Sequence, residues 1–202
     1  MHEAKAILLA AGLSRRMGTA NKLLMPVNGR PMVRHVVEQY CAILGSGVWV
    51  VLGHQSSEIA AALQGTAVNM VYNPAFDQGQ STSVATGLRV VPDGGDLLIG
   101  LCDQPILDKS DLSDLLSAHR DADPHKISIP VSGDRRGNPI VVPQALRSRL
   151  LDDPRAPGCR KFTRAYPDLV QHLTLHAPGY YEDVDTPEVY AVHFGTLTEE
   201  LT

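Results

Sequence analysis

The sequence is short of the features that mark several large protein classes. Its three cysteines, Cys41, Cys102 and Cys159, form no Cys-x-x-Cys spacing and cannot all pair with one another, so neither a disulfide framework nor a zinc site is suggested. The eight histidines lie without HxH or HExxH spacing, which leaves a histidine-built metal centre little support. No apolar run approaches the roughly 20 residues that cross a bilayer. The first apolar stretch, Ala6-Ile7-Leu8-Leu9-Ala10, is too short and too weakly basic in its flank for a secretory signal, so a cytoplasmic location with no membrane partner is expected. Acidic and basic residues are spread along the chain to a formal net charge of −4. That balance argues against a general electrostatic grip on nucleic acid and confines any phosphate binding to a local site.

What is present is a pattern of order. At 202 residues, 44% hydrophobic and 20% charged, the chain has the size and composition of one folded domain, expected to span residues 1–202. Short apolar runs at 6–10, 48–52, 67–72, 97–101, 127–131 and 140–142 read as strands. Helix-period segments are expected at 31–44, 57–63, 80–90, 110–120 and 160–166. Alternation of this kind builds a mainly parallel sheet covered by helices, which is the α/β class. There is no repeat or low-complexity tract.

Three segments carry chemistry. The first runs from Leu9-Ala10-Ala11-Gly12 through Ser14, Arg15-Arg16-Met17-Gly18 and Asn21-Lys22-Leu23-Leu24. A strand ending in small residues lets backbone N–H groups approach a polyphosphate without Cβ obstruction. Arg15 or Arg16 adds charge-assisted bonds, and Lys22 adds a flexible point charge. Gly12 and Gly18 bracket five residues and no Lys-Ser/Thr follows, so the loop is not a P-loop, and no GxGxxG supports a dinucleotide-binding reductase. The second segment, Cys102-Asp103-Gln104-Pro105, sets a carboxylate just beyond a strand, where open α/β sheets bind ligands and Mg²⁺ finds its few carboxylates. The third, Tyr181-Glu182-Asp183-Val184-Asp185-Thr186-Pro187, offers Asp185 either as a second metal ligand or as a helix N-cap, with Asp183 a weaker candidate.

Taken in order, Leu9-Ala10-Ala11-Gly12, Ser14, Arg16-Met17-Gly18, Asn21-Lys22-Leu23-Leu24, Cys102-Asp103-Gln104-Pro105 and Asp183-Val184-Asp185-Thr186-Pro187 resemble the motifs of the MobA-like nucleotidyltransferases, and in particular the molybdenum cofactor cytidylyltransferases. The resemblance implies a three-layer α/β/α, Rossmann-like nucleotidyltransferase fold. It also implies a triphosphate held by Leu9, Ala10, Ala11 and Gly12 with Arg16 and Lys22, and Mg²⁺ held by Asp103 and Asp185. Arg16, Lys22 and Asp103 would be catalytic. Ala11, where relatives using GTP carry glycine, resembles the CTP-using branch. Ser81 and Ser83 of Gly79-Gln80-Ser81-Thr82-Ser83, and Asn138 of Arg136-Gly137-Asn138-Pro139, would line the acceptor side. The partners implied are CTP or another NTP, a phosphorylated pterin acceptor and, transiently, a molybdenum hydroxylase or its chaperone. The reaction expected is transfer of CMP to molybdopterin. Alternatives are a guanylyl or sugar/alcohol-phosphate transferase of the same fold, a non-catalytic cofactor-carrying chaperone, or a nicotinamide-dependent reductase.

Overall fold

The computed structural model of the chain describes residues 4–14, 21–152 and 158–195. Its first strand, β1 (Lys5–Ala10), is buried almost throughout, as a strand covered on both faces must be. A two-residue hairpin, β2 (Pro26–Val27) with β3 (Arg30–Pro31), follows the loop and leads into helix α1 (Met32–Leu44). Pro31 stands at the N-cap of α1 rather than in its first turn.

The chain continues through β4 (Val48–Leu52), α2 (Ser56–Ala62), β5 (Asn69–Tyr72), α3 (Gln80–Val90), β6 (Leu97–Leu101) and α4 (Lys109–Asp121). An Asp108–Asp111 capping box starts α4, satisfying N–H groups that the helix itself leaves open. The second half adds β7 (Ile127–Ser132), β8 (Arg135–Arg136), β9 (Ile140–Val142), α5 (Gln144–Asp152), α6 (Cys159–Ala165), β10 (Val170–Thr174) and α7 (Pro187–Phe194). The helix α5 and strand β10 carry too weak a period to be read from sequence.

One eight-stranded sheet runs in the order β10-β7-β9-β6-β1-β4-β5, with β8 paired to β7. Strand β1 pairs in parallel with β4 on one side and β6 on the other, whereas β9 lies antiparallel between β6 and β7. Side chains of alternate register face opposite ways. Ala6, Leu8 and Ala10 join one apolar core with residues of α1, α2 and α4, and Ile7, Leu97, Ile99 and Ile140 join a second with residues of α3, α5 and α6. The result is a three-layer α/β/α sandwich with a largely parallel, Rossmann-like sheet. Its central crevice opens beyond the carboxyl ends of β1 and β6, where successive connections leave in opposite directions. That is where ligands bind in open sheets.

All three cysteines are free thiols. No helix among the described residues is long and apolar enough to cross a membrane.

Candidate active site

The crevice beyond β1 and β6 holds a cleft of ≈ 490 Å³ whose walls include Leu9, Ala11, Gly12, Lys22, Ser83, Asp103 and Asp185. Four separate chain segments therefore bring their expected residues to one place. Backbone contacts fix two of those segments to each other, because Val184 N–H donates to the carbonyl of Asp103 at 2.8 Å. The buried Gln104 adds a second tie, its Nε2 donating to the Tyr180 carbonyl at 3.2 Å.

Lys22 is aimed by Asn21, a residue whose role the sequence alone left unassigned. The Asn21 side chain caps the short 3₁₀ turn Lys22–Leu24 by accepting from Leu23 N–H. It also accepts from the Ser14 hydroxyl at 3.3 Å, linking the turn to the loop after β1. Buried Asn21 is thus a polar brace between the small-residue loop and the lysine that follows it.

The Lys22 ammonium lies 2.5 Å from Asp103 Oδ2 and 2.6 Å from Asp185 Oδ1. Asp183 completes the group, with one oxygen from each of the three aspartates within 4.8 Å of the others. Asp103 Oδ1 is buried without a hydrogen-bond donor, an arrangement that is costly unless a cation or ligand completes it. Among the described residues, three carboxylates gather around the Lys22 ammonium, an excess of negative charge. Together with the unsatisfied oxygen, that excess fits a hard divalent cation, which takes carboxylate oxygens and keeps some positions for water and phosphate.

The pKa shifts agree with this crowding. Burial disfavours the charged form of Lys22, but the ion pairs and hydrogen bonds to Asp103 and Asp185 outweigh it and raise the ammonium above its ordinary value. Asp183 is raised from the ordinary carboxylate value by desolvation first and then by repulsion from Asp103 and Asp185. A carboxyl raised in the folded state binds more protons there than in the unfolded chain, so stability falls as pH rises through its folded pKa. Asp183→Asn is therefore expected to raise the melting temperature of the metal-free protein at neutral pH. The gap from the parent should close as pH falls toward 3.8, the ordinary carboxylate value. A melting curve measured against pH, with chelator present, checks both statements.

Asp185 does not cap the last helix: the N-cap of α7 is Thr186, whose hydroxyl accepts from Val189 N–H. Of the two readings left open for Asp185, the helix cap falls, and its carboxylate lies instead beside Lys22 in the group with Asp103 and Asp183. Ala10 is buried in the core at the end of β1 and forms no part of the cleft wall. Arg16 lies outside the described residues.

The two serines part company. Ser83 is buried, accepts from Asn73 Nδ2 at 3.0 Å and lines the carboxylate cleft. Ser81 lines a neighbouring cleft of ≈ 400 Å³ together with Asn138, Arg136, Arg160 and Lys161. Residues two apart on a helix point roughly 200° away from each other, which explains the division. Neither serine caps α3, whose N-cap is Gly79. Asn73 is buried with its side chain bonded to Thr82, Ser83 and Ala75 N–H, so it braces the 73–83 loop rather than presenting an amide to a ligand. Phe76, Asp77 and Gln80 also line the carboxylate cleft, and no residue-type pattern marked the first two.

Comparison with known proteins follows the same outline. The family described as "MobA-like NTP transferase domain" matches residues 6–171. A nicotine blue oxidoreductase of Paenarthrobacter nicotinovorans is 30% identical over 90% of this chain and 92% of its own length. A probable molybdenum cofactor guanylyltransferase of Natronomonas pharaonis is 26% identical over 93% of this chain and 95% of its own. Among solved structures, a nucleotidyl transferase from Methanothermobacter superposes with a TM-score of 0.79 at 22% identity, covering 94% of this chain and 95% of that one.

Proposed function

The chain belongs to the MobA-like NTP transferase family, and we propose that within it the protein transfers a nucleotide from an NTP to a phosphorylated small molecule, releasing pyrophosphate. The observation that carries this reading is the convergence of Lys22, Asp103, Asp183 and Asp185 beside the small-residue loop after β1. An oxygen of the acceptor forms a bond to the α-phosphorus while the bond to the bridging oxygen breaks, and that electron pair leaves with pyrophosphate. No protein nucleophile is needed, because positioning and charge stabilisation supply most of the catalysis in such transfers.

The chain's own groups divide the work. Gly12 and the backbone around it cradle the triphosphate, Lys22 moves its charge from Asp103 and Asp185 onto the phosphates, and Arg16 is proposed to assist it. Asp103 and Asp185, with Asp183 beside them, would hold Mg²⁺. When bound, the ion neutralises phosphate charge and orients the triphosphate.

For the donor, likeness over 93% of this chain to a protein described as a probable molybdenum cofactor guanylyltransferase supports GTP, while Ala11 supports CTP. The relative's acceptor, the molybdenum cofactor, becomes the proposed acceptor here, and delivery to a molybdenum hydroxylase in the cytoplasm would follow. Titration calorimetry with Mg²⁺ and each of GTP, CTP, ATP and UTP decides the donor. Tight binding of one triphosphate with pyrophosphate release in the presence of molybdopterin is the expected result. Binding of none would overturn the transferase reading.

A second reading rests on the 30% identity to nicotine blue oxidoreductase. An oxidoreductase needs an electron donor, so NADH belongs in the same titration. Binding of NADH with turnover of an aromatic dye and no triphosphate binding would favour it.

A further inference from the structure

The two loops that carry the aspartates are fastened to each other at two points. At the first, Val184 N–H donates to the Asp103 carbonyl at 2.8 Å. Val184 is buried between Asp183 and Asp185 in sequence, so this bond sits within the metal-binding group itself. A single hydrogen bond locates a segment but lets it swing about the contact, and a second one some residues away fixes the angle. The second is made by a side chain, with Gln104 Nε2 donating to the Tyr180 carbonyl at 3.2 Å. The amide can hold that carbonyl in one orientation only, because a carbonyl oxygen accepts and does not donate.

Both ends of this tie are held. The Gln104 carbonyl accepts from Leu107 N–H at 3.3 Å, and the next carbonyl, that of Pro105, faces His35 Nε2 at 3.2 Å. On the other side, Gly179 lets the 178–180 turn lie against the entry to α4, where a Cβ would come within 2.5 Å of Leu107 Cα. The Tyr180 hydroxyl then donates to the Asp111 carbonyl at 2.5 Å. Gln104 therefore spans two supported segments. As a folding contact, however, the amide is poorly matched. Gln104 is 2% exposed, and among the described residues nothing donates to its buried Oε1, which costs stability. The Tyr180 carbonyl does not depend on it, since Asn138 N–H also donates there at 2.8 Å. An apolar side chain of the same volume would fill the space and leave no unmatched oxygen. A buried polar group that folding does not require, next in sequence to Asp103, points to the geometry of the site.

We propose that Gln104 is a positioning residue of the metal site: by holding the Tyr180 carbonyl it fixes the angle between the loop of Asp103 and the loop of Asp183 and Asp185, and thereby the size of ion that the three carboxylates accept. The inference rests on the proposed function, from which the divalent ion comes. Mg²⁺ demands near-octahedral oxygens at about 2.0–2.1 Å, whereas Ca²⁺ takes looser shells at about 2.3–2.6 Å. A fixed angle between carboxylates favours the smaller ion, and a swinging one gives up that preference.

The test uses two variants of the full chain. Gln104→Met keeps the volume and removes the donor, and Gln104→Asn keeps the amide on a stem one methylene too short for the contact. Mn²⁺ is titrated into each protein without nucleotide and then displaced by Mg²⁺ or by Ca²⁺. Both variants are expected to lose about tenfold of the parent's preference for Mg²⁺ over Ca²⁺, the scale on which a residue that orients metal ligands acts. Metal-free Gln104→Met should melt within about 3 °C of the parent or above it. A general loosening of the fold weakens both ions together, so the ratio reports position rather than stability. An unchanged ratio in Gln104→Met would overturn the inference whatever its melting temperature, and a parental ratio in Gln104→Asn would overturn the tie as its cause. A parent that binds no divalent ion would instead overturn the metal-dependent function on which the inference stands, so the two failures are read from different proteins.

Discussion

Asp103→Ala is expected to reduce nucleotidyl transfer by about 10²–10³-fold or more, the scale on which a preorganised electrostatic contact at a reacting phosphate is lost. The carboxylate sits just beyond β6, with its side chain 18% exposed and its carbonyl bonded to Val184 N–H at 2.8 Å. The substitution removes the ligand atom while leaving that backbone tie in place. Circular dichroism and melting should therefore report a folded protein, while titration with Mn²⁺ or Mg²⁺ shows the divalent affinity lost. Asp103→Asn separates charge from shape: it keeps the volume and one oxygen, and should recover little of the metal affinity. An alanine variant that binds metal and turns over at the parental rate would remove Asp103 from the metal site.

Lys22→Met should have two opposed effects. The ammonium stands 2.5 Å from Asp103 Oδ2 and 2.6 Å from Asp185 Oδ1, in the space between carboxylates that a divalent ion would share. In the nucleotide-free protein the lysine thus competes with the metal. Its removal takes one positive charge away from the group formed by Asp103, Asp183 and Asp185 and is expected to tighten Mn²⁺ binding by about tenfold in the absence of nucleotide. Turnover should fall by about 10²-fold or more, because the same charge is needed on the phosphates. On the proposed function, triphosphate should draw Lys22 away in the parent and so raise metal affinity, and linkage then requires the metal to raise triphosphate affinity by the same factor. That coupling should shrink in the methionine variant. Calorimetry of Mn²⁺ with and without a non-hydrolysable triphosphate, on both proteins, measures it. Unchanged metal affinity in Lys22→Met would mean that the ion and the ammonium do not compete.

Much of this site was open to a reader of the sequence because its chemistry constrains residue type at short range. Ala11 and Gly12 are small where β1 runs out into the cleft, and Asp103 follows a strand that is apolar on both faces. The order of the motifs carried the family. Less legible were residues that act by bracing: Asn21 looked like part of a motif, yet its work is to cap the Lys22–Leu24 turn and accept from Ser14. Asn73 acts the same way, its side chain tying down the loop before α3. Hydrogen-bond partners that lie across a turn leave no periodic trace.

By itself the sequence determined the α/β class, the mainly parallel sheet and the positions of the loops after β1 and β6, because strand and helix periods and the Gly and Pro punctuation are local properties. It also singled out Lys22, Asp103 and Asp185 as candidates, since few residue types serve phosphate and Mg²⁺, and the structure brings the three together. Only the tertiary structure decided that Asp185 reaches Lys22 while Thr186 caps α7, since a carboxylate before a helix serves either role until the helix has a direction. The antiparallel insertion of β9 between β6 and β7 was likewise settled only by long-range pairing. The separation of a carboxylate cleft from a cationic one came the same way: Ser81 and Ser83 part by helical geometry, and Arg136, Arg160 and Lys161 converge from segments whose meeting depends on packing α6 against α3 and the sheet.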